Sequence, residues 1–216
     1  MHRLALIALL AVSLLLAGCP AVMVTGAGAG VMAAEDRRTL GTMTEDERIE
    51  FRTSNLVSSR HKDRVHLNVT SYNRMVLLTG EVPTAAVKTD AERIAHSVEN
   101  VRGVVNELTV GVPSTLTNRA NDTYITSKVK ARFVDAQRFN ALHVKVVTEN
   151  QVVYLLGLVR PQEAKDAAAL ARTTEGVKRV VTVFEITSWS RTRGMDAPPA
   201  PFETKLSAPD GVAARA

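Results

Sequence analysis

The chain has 216 residues, 45% hydrophobic and 23% charged, with a formal net charge of +5. That is enough apolar side chain for one or two packed domains and too little positive charge for a nucleic-acid footprint. Its single cysteine, Cys19, excludes an intramolecular disulfide, so stability has to come from packing.

His2 and Arg3 form a short positive start, and Leu4 to Leu16 an apolar run of signal-peptide length rather than of a spanning helix. Leu16-Ala17-Gly18-Cys19 then reads as a lipobox: cleavage before Cys19 frees an amino group that, with the thiol, carries acyl chains such as palmitate. Two or three such chains, at about 0.8 kcal/mol per buried CH₂, hold a protein on a bilayer almost permanently. The alternative is an ordinary cleaved signal with an incidental cysteine. Losing residues 1–18 removes Arg3, leaving a mature charge of about +4. Residues 19–44, with Gly26-Ala27-Gly28-Ala29-Gly30, read as a flexible tether of roughly 25–30 Å reach. The glycine run is no phosphate loop, since no strand precedes it and no Lys-Ser/Thr follows.

The chain then repeats itself. Residues 71–80 align with residues 148–157, and residues 99–106 with residues 175–182, so a domain has been duplicated. Each copy reads as helix, strand, strand, helix, strand. In the first, 49–57 is helical, 65–70 and 75–79 are strands, 85–98 is helical and 104–110 a strand. In the second, Ile125, Val129 and Phe133 form an apolar helical stripe behind the N-cap candidates Asn121, Asp122 and Thr123. Val144 and Val146 mark a half-buried strand, Glu149-Asn150 a turn, 152–156 a buried strand, 164–171 a helix after Pro161, and 177–186 a β-branched strand. Gly80 and Gly157 end the second strands, where a positive φ or a close approach suits glycine. Residues 111–120 read as a linker containing Pro113, and residues 188–216, with four prolines, as a disordered tail. Trp189 reads as the apolar end of the last strand, with membrane contact as the alternative.

The second-strand glycines, together with Asn121-Asp122-Thr123-Tyr124-Ile125-Thr126, residues 145–150 and Gly176-Val177-Lys178-Arg179-Val180, resemble the BON domain, and the whole arrangement is similar to tandem-BON envelope lipoproteins. The resemblance implies an α+β fold, with each domain αββαβ: a small three-stranded mixed sheet covered by two helices. It implies no enzymatic activity, no cofactor and an outer-membrane location facing the periplasm, including the division site. It also implies support of membrane integrity, anionic phospholipid bound by the second domain, and a link to outer-membrane protein assembly machinery. Pro20 after the cysteine and the long tail depart from the pattern.

The residues alone favour binding over catalysis. His61 and His66, His96 and His143 are scattered without metal-ligand spacing, and Ser58-Ser59 lack a nucleophile elbow. Tyr124, Lys128 and Arg132, four apart, form a stripe beside the apolar one, with Lys130 elsewhere on the exposed face; an aromatic ring with long cations suits a headgroup layer. The alternative is a solvated helix face. The equivalent turn of the first copy is acidic, with Glu45, Asp46, Glu47 and Glu50. Residues 45–110 carry nine basic against ten acidic side chains, and residues 121–187 ten against seven. The acidic first copy is the candidate docking surface if the protein is a scaffold.

Overall fold

The computed structural model describes residues 36–62 and 65–187, with the backbone of residues 205 and 206. The first domain runs α1 (Leu40–His61), β1 (His66–Tyr72), β2 (Met75–Val82), α2 (Ala85–Ser97), β3 (Gly103–Asn106) and β4 (Thr109–Val110). The second runs α3 (Leu116–Ala136), a 3-10 turn (Ala141–His143), β5 (Val144–Glu149), β6 (Val152–Val159), α4 (Pro161–Arg172) and β7 (Arg179–Ile186). In each, an antiparallel hairpin is joined through a crossover helix to a strand parallel to the central one. This is the α+β, αββαβ architecture of a duplicated domain.

Several bounds differ from the sequence reading. The strand read over 104–110 is split, because Asn106 Oδ1 accepts a bond from the Leu108 N–H at 3.2 Å while Leu108 turns into the core. The segments read as tether (19–44) and linker (111–120) each run into a helix. Thr39 and Thr115 are the N-caps, their hydroxyls accepting from Thr42 N and Asn118 N. Asn121, Asp122 and Thr123 are therefore not caps but lie in the second turn of α3 and beyond. The tail from 188 lies outside the described residues except for Lys205–Leu206, which forms β8, antiparallel to β7.

The central strands alternate between two cores. Val76, Leu78 and Val82 pack under α1 and α2 with Ile49, Val57, Ala91 and Ala95. Val153, Leu155 and Val159 pack under α3 and α4 with Ile125, Val129 and Phe133. The opposite sheet faces meet each other: Tyr72, Met75 and Leu77 join Tyr154, Leu156, Leu158, Val181 and Val183 in a third core. The order is thus helix, sheet, sheet, helix, and each such buried side chain contributes roughly 1.5–3 kcal/mol to holding the domains together. Polar pairs rim the junction, among them Asn73–Glu185 at 2.7 Å, Lys145–Glu50 at 2.9 Å and Arg179–Glu107 at 3.1 Å.

One device is duplicated. Asn73 and Arg74, and Asn150 and Gln151, turn the two hairpins with positive φ throughout, as a two-residue type I′ turn requires. The turn of the second copy is thus Asn150-Gln151, and Glu149 is instead the buried last residue of β5. A buried aspartate from the first helix of each copy grips the turn. Asp46 accepts from Asn73 N, Arg74 N and Ser71 Oγ; Asp122 accepts from Asn150 N and Gln151 N. Gly80 has φ +113, and a Cβ there would lie 2.0 Å from the His66 carbonyl oxygen; at Gly157 the His143 oxygen would be 2.4 Å away. Close approach of the hairpin partner explains both glycines.

Candidate functional site

The apolar stripe of α3, Ile125, Val129 and Phe133, is fully buried, which fixes the opposite side of the helix toward solvent. That side exposes Leu116 (81%), Tyr124 (62%) and Val134 (61%), separated by the small exposed residues Ala120, Thr123, Ser127 and Ala131. Lys128 borders it, its Nζ 4.8 Å from the Tyr124 ring centre and 3.4 Å from Glu175 Oε2. Lys130, exposed, borders it on the other flank. Arg132 departs from the solvent-facing position expected of it: its Nη1 donates to the Leu170 carbonyl and to Thr174 Oγ1, both at 3.0 Å, tying α3 to the end of α4. The structure thus brings Tyr124 and Lys128 together and directs Arg132 inward. Cys19, the lipidation candidate, lies outside the described residues.

At the domain junction, beside the N-terminal half of α3, an open cleft of about 450 Å³ is lined by His66, Asn68, Arg119, Asp122, Thr126 and Glu149, among others. Glu149 and Glu81 are 6% and 4% exposed, and together with His66 they place one donor atom each within 4.8 Å of one another. Glu81 accepts from His66 Nδ1, Asn150 Nδ2 and Ser114 N. Burial alone pushes the Glu81 carboxyl up, but these bonds outweigh it and hold the group below its ordinary value. Glu149 is pushed up by burial, helped by the nearby charges of Glu81 and Asp122, against a bond from Asn68 and the neighbouring His66. Chain spacing gave no hint of this group, because His66 and Glu81 meet across a hairpin and Glu149 comes from the other domain. His61 Nε2 lies 2.9 Å from Asp90 Oδ2, and His143 ends the 3-10 turn before β5.

On the first domain, α1 exposes Phe51 (69%) and Leu56 (49%) among Glu47, Arg48 and Arg52. Among the described residues no helix is long and apolar enough to cross a membrane.

Comparison with known proteins matches the BON domain twice, over residues 46–112 and 121–188. The chain belongs to the BON-domain family. It is 40% identical over 180 residues to the outer membrane lipoprotein DolP of Haemophilus influenzae, covering 82% of this chain and 93% of that one. It is 34% identical to the 21 kDa hemolysin of Actinobacillus pleuropneumoniae, covering 69% and 78%, and 29% identical to the osmotically-inducible protein Y of Escherichia coli, covering 72% and 80%. Two BON domains and near full-length correspondence make it a DolP-like protein, and none of these relatives carries an enzyme's name.

Proposed function

We propose that the protein is a periplasm-facing outer-membrane lipoprotein, anchored through acylated Cys19, whose second BON domain rests the exposed face of α3 on anionic phospholipid and so supports membrane integrity. The supporting observation is that face itself: Leu116, Tyr124 and Val134 stand out over small residues, with Lys128 and Lys130 at the borders. The apolar side chains enter the headgroup layer while the lysines reach phosphate. Arg132 takes part by positioning the helix. At about 1 kcal/mol per cation near an anionic surface, two lysines supply about 2 kcal/mol, less than millimolar affinity, so the lipid anchor is needed to concentrate the face at the bilayer. Sedimentation of residues 36–216 with vesicles tests this. Binding to phosphatidylglycerol or cardiolipin should weaken with salt and be lost in the Lys128→Glu, Lys130→Glu double variant, with Tyr124→Ala weakening it at unchanged salt dependence. Equal binding to neutral vesicles, or full binding by the double variant, would refute it.

A second reading has one observation behind it. Phe51 and Leu56 on the acidic first domain suit a protein surface better than an anionic one, and fit a scaffold docking to outer-membrane protein assembly machinery. Crosslinks from α1 to protein in intact envelopes, with no lipid binding by α3, would put this reading first.

A further inference from the structure

We propose that His66, Glu81 and Glu149 form a binding site for a divalent transition-metal ion of the Zn²⁺ class, which fastens the end of β5 to the β1–β2 hairpin across the domain junction. The donor set is one imidazole and two carboxylates, the mixture such ions take in three-ligand sites, with the cleft leaving a position open for water. Bonds of about 2.0–2.2 Å place tetrahedral ligands about 3.4 Å apart. The donors already lie within 4.8 Å of each other, so side-chain shifts of up to about 1.4 Å suffice. An imidazole and so few ligands argue against Ca²⁺ or Mg²⁺, which take mostly oxygens and more of them.

The duplication supplies an independent reason for a cation here. In the first copy Asp46 is paired with Arg38 at 2.9 Å, and that guanidinium lies 3.9 Å from the centre of the Tyr72 ring. In register, Ser114 stands where Arg38 stands, Asp122 where Asp46 stands, and Glu149 where Tyr72 stands. The second copy has therefore lost an arginine and gained a buried carboxylate. Among the described residues no lysine or arginine lies within 4.0 Å of the carboxylates of Glu81, Asp122 or Glu149, although Arg119 lines the same cleft and bonds Ser114 Oγ. Glu81 has His66 at 2.8 Å and Asp122 the two turn N–H groups, which leaves Glu149, with one bond from Asn68, as the buried carboxylate in most need of a cation; an external ion would supply there what Arg38 supplies to Asp46 in the other half. Thr79 is a further unsatisfied polar group: it is wholly buried on the sheet face that carries His66, Asn68 and Glu81, directly across from Asn68, and its hydroxyl has no hydrogen-bond partner.

The test uses the full chain, with Cys19 acylated or replaced by serine so that no thiol competes, and Co²⁺ and Zn²⁺ themselves as probes. Co²⁺ should bind one per chain with the visible bands of a low-coordinate ion, Zn²⁺ should displace it, and Zn²⁺ should raise the thermal midpoint until a chelator is added. Glu149→Gln and His66→Gln should weaken binding at least tenfold, while His96→Gln, on the exposed side of α2, leaves it unchanged. Glu149→Gln keeps an oxygen for Asn68 and is expected to fold. Should either variant unfold, histidine-ring NMR of the unmutated chain decides: the His66 signals should move with Zn²⁺ while those of His61, His96 and His143 stay. No binding at millimolar metal, undiminished binding by the two variants, or movement of His61 or His96 in place of His66 would overturn the proposal.

Discussion

Replacing Asp122 by alanine should destabilise the second domain far more than its place on a helix would indicate. The residue is 3% exposed, and its two oxygens accept from the N–H groups of Asn150 at 2.9 Å and Gln151 at 2.8 Å. Both turn residues sit at positive φ, which asparagine tolerates but which is unfavourable for Gln151. A hydrogen bond to a charged group contributes about 1.5–3 kcal/mol, so two of them set an upper figure of about 6. Asp122 lines the open cleft, from which water can reach the freed N–H groups, and the expected loss is about 3–4 kcal/mol. Asp46→Ala should be worse by about 1–2 kcal/mol, because Ser71 Oγ loses its acceptor and Arg38 one of its two carboxylate partners, Asp36 remaining. Asp122→Asn, with one accepting oxygen, should lose about half as much as the alanine variant. Urea unfolding of residues 36–216 at neutral pH measures all three. A loss below about 1 kcal/mol for Asp122→Ala, or a milder effect at Asp46, would refute the idea that the helix aspartates hold the turns.

Thr53, wholly buried with an unpartnered hydroxyl, occupies the position of Val129 in the other copy, so Thr53→Val should stabilise the first domain by about 1–2 kcal/mol in the same assay. Glu163 is pushed up by burial but held below its ordinary value by the Arg37 guanidinium, at 2.6 and 2.8 Å, and by the Arg160 N–H. Its ionised form therefore adds stability above the ordinary value of 4.5, and loses it as pH falls through the depressed folded value. The deficit of Glu163→Gln should be about 1–3 kcal/mol at neutral pH and shrink in acid, whereas a constant deficit would assign it to packing. Gly157→Ala should destabilise by about 1–3 kcal/mol or more, since the new methyl meets the His143 carbonyl oxygen; a neutral outcome would show that β5 and β6 can separate freely.

The order of elements was readable because both copies carry apolar, β-branched strand runs and an apolar helix stripe at matching register. The helix starts were not. Residues 40–48 and 116–124 are mixed and polar, so periodicity begins only at Ile49 and Ile125, although Thr39-Leu40 and Thr115-Leu116 repeat at the same offset as Asp46 and Asp122. Aligning the copies upstream of the stripe would have exposed both the caps and the gripping aspartates. Tyr124 and Lys128 were legible from helical spacing, whereas Arg132 was not. Its place on the helix, next to the buried stripe, lets a long side chain reach the carbonyls at the end of α4, and that depends on where α4 packs. The His66, Glu81 and Glu149 group was out of reach for a similar reason: it exists only because the two sheets meet by their helix-free faces.

That meeting also decides what each domain can touch. With the sheets occupied by one another, α1 and α3 are left to face outward. Residues 45–110 carry a net −1 and residues 121–187 a net +3, a difference of four charges. Near an anionic leaflet, at about 1 kcal/mol per charge, contact through the second domain is favoured over contact through the first by up to about 4 kcal/mol. The preference acts only within a Debye length, about 8 Å at physiological salt, so a tethered chain further from the bilayer is free to tumble. An acylated Cys19 would keep the protein at the membrane regardless of salt, while the charge difference selects which domain lands. Raising the ionic strength should then scramble the orientation without releasing the protein, and fluorescence quenching by lipid-borne quenchers of a probe placed at Ser127 on α3, against one at Asn55 on α1, separates the two effects.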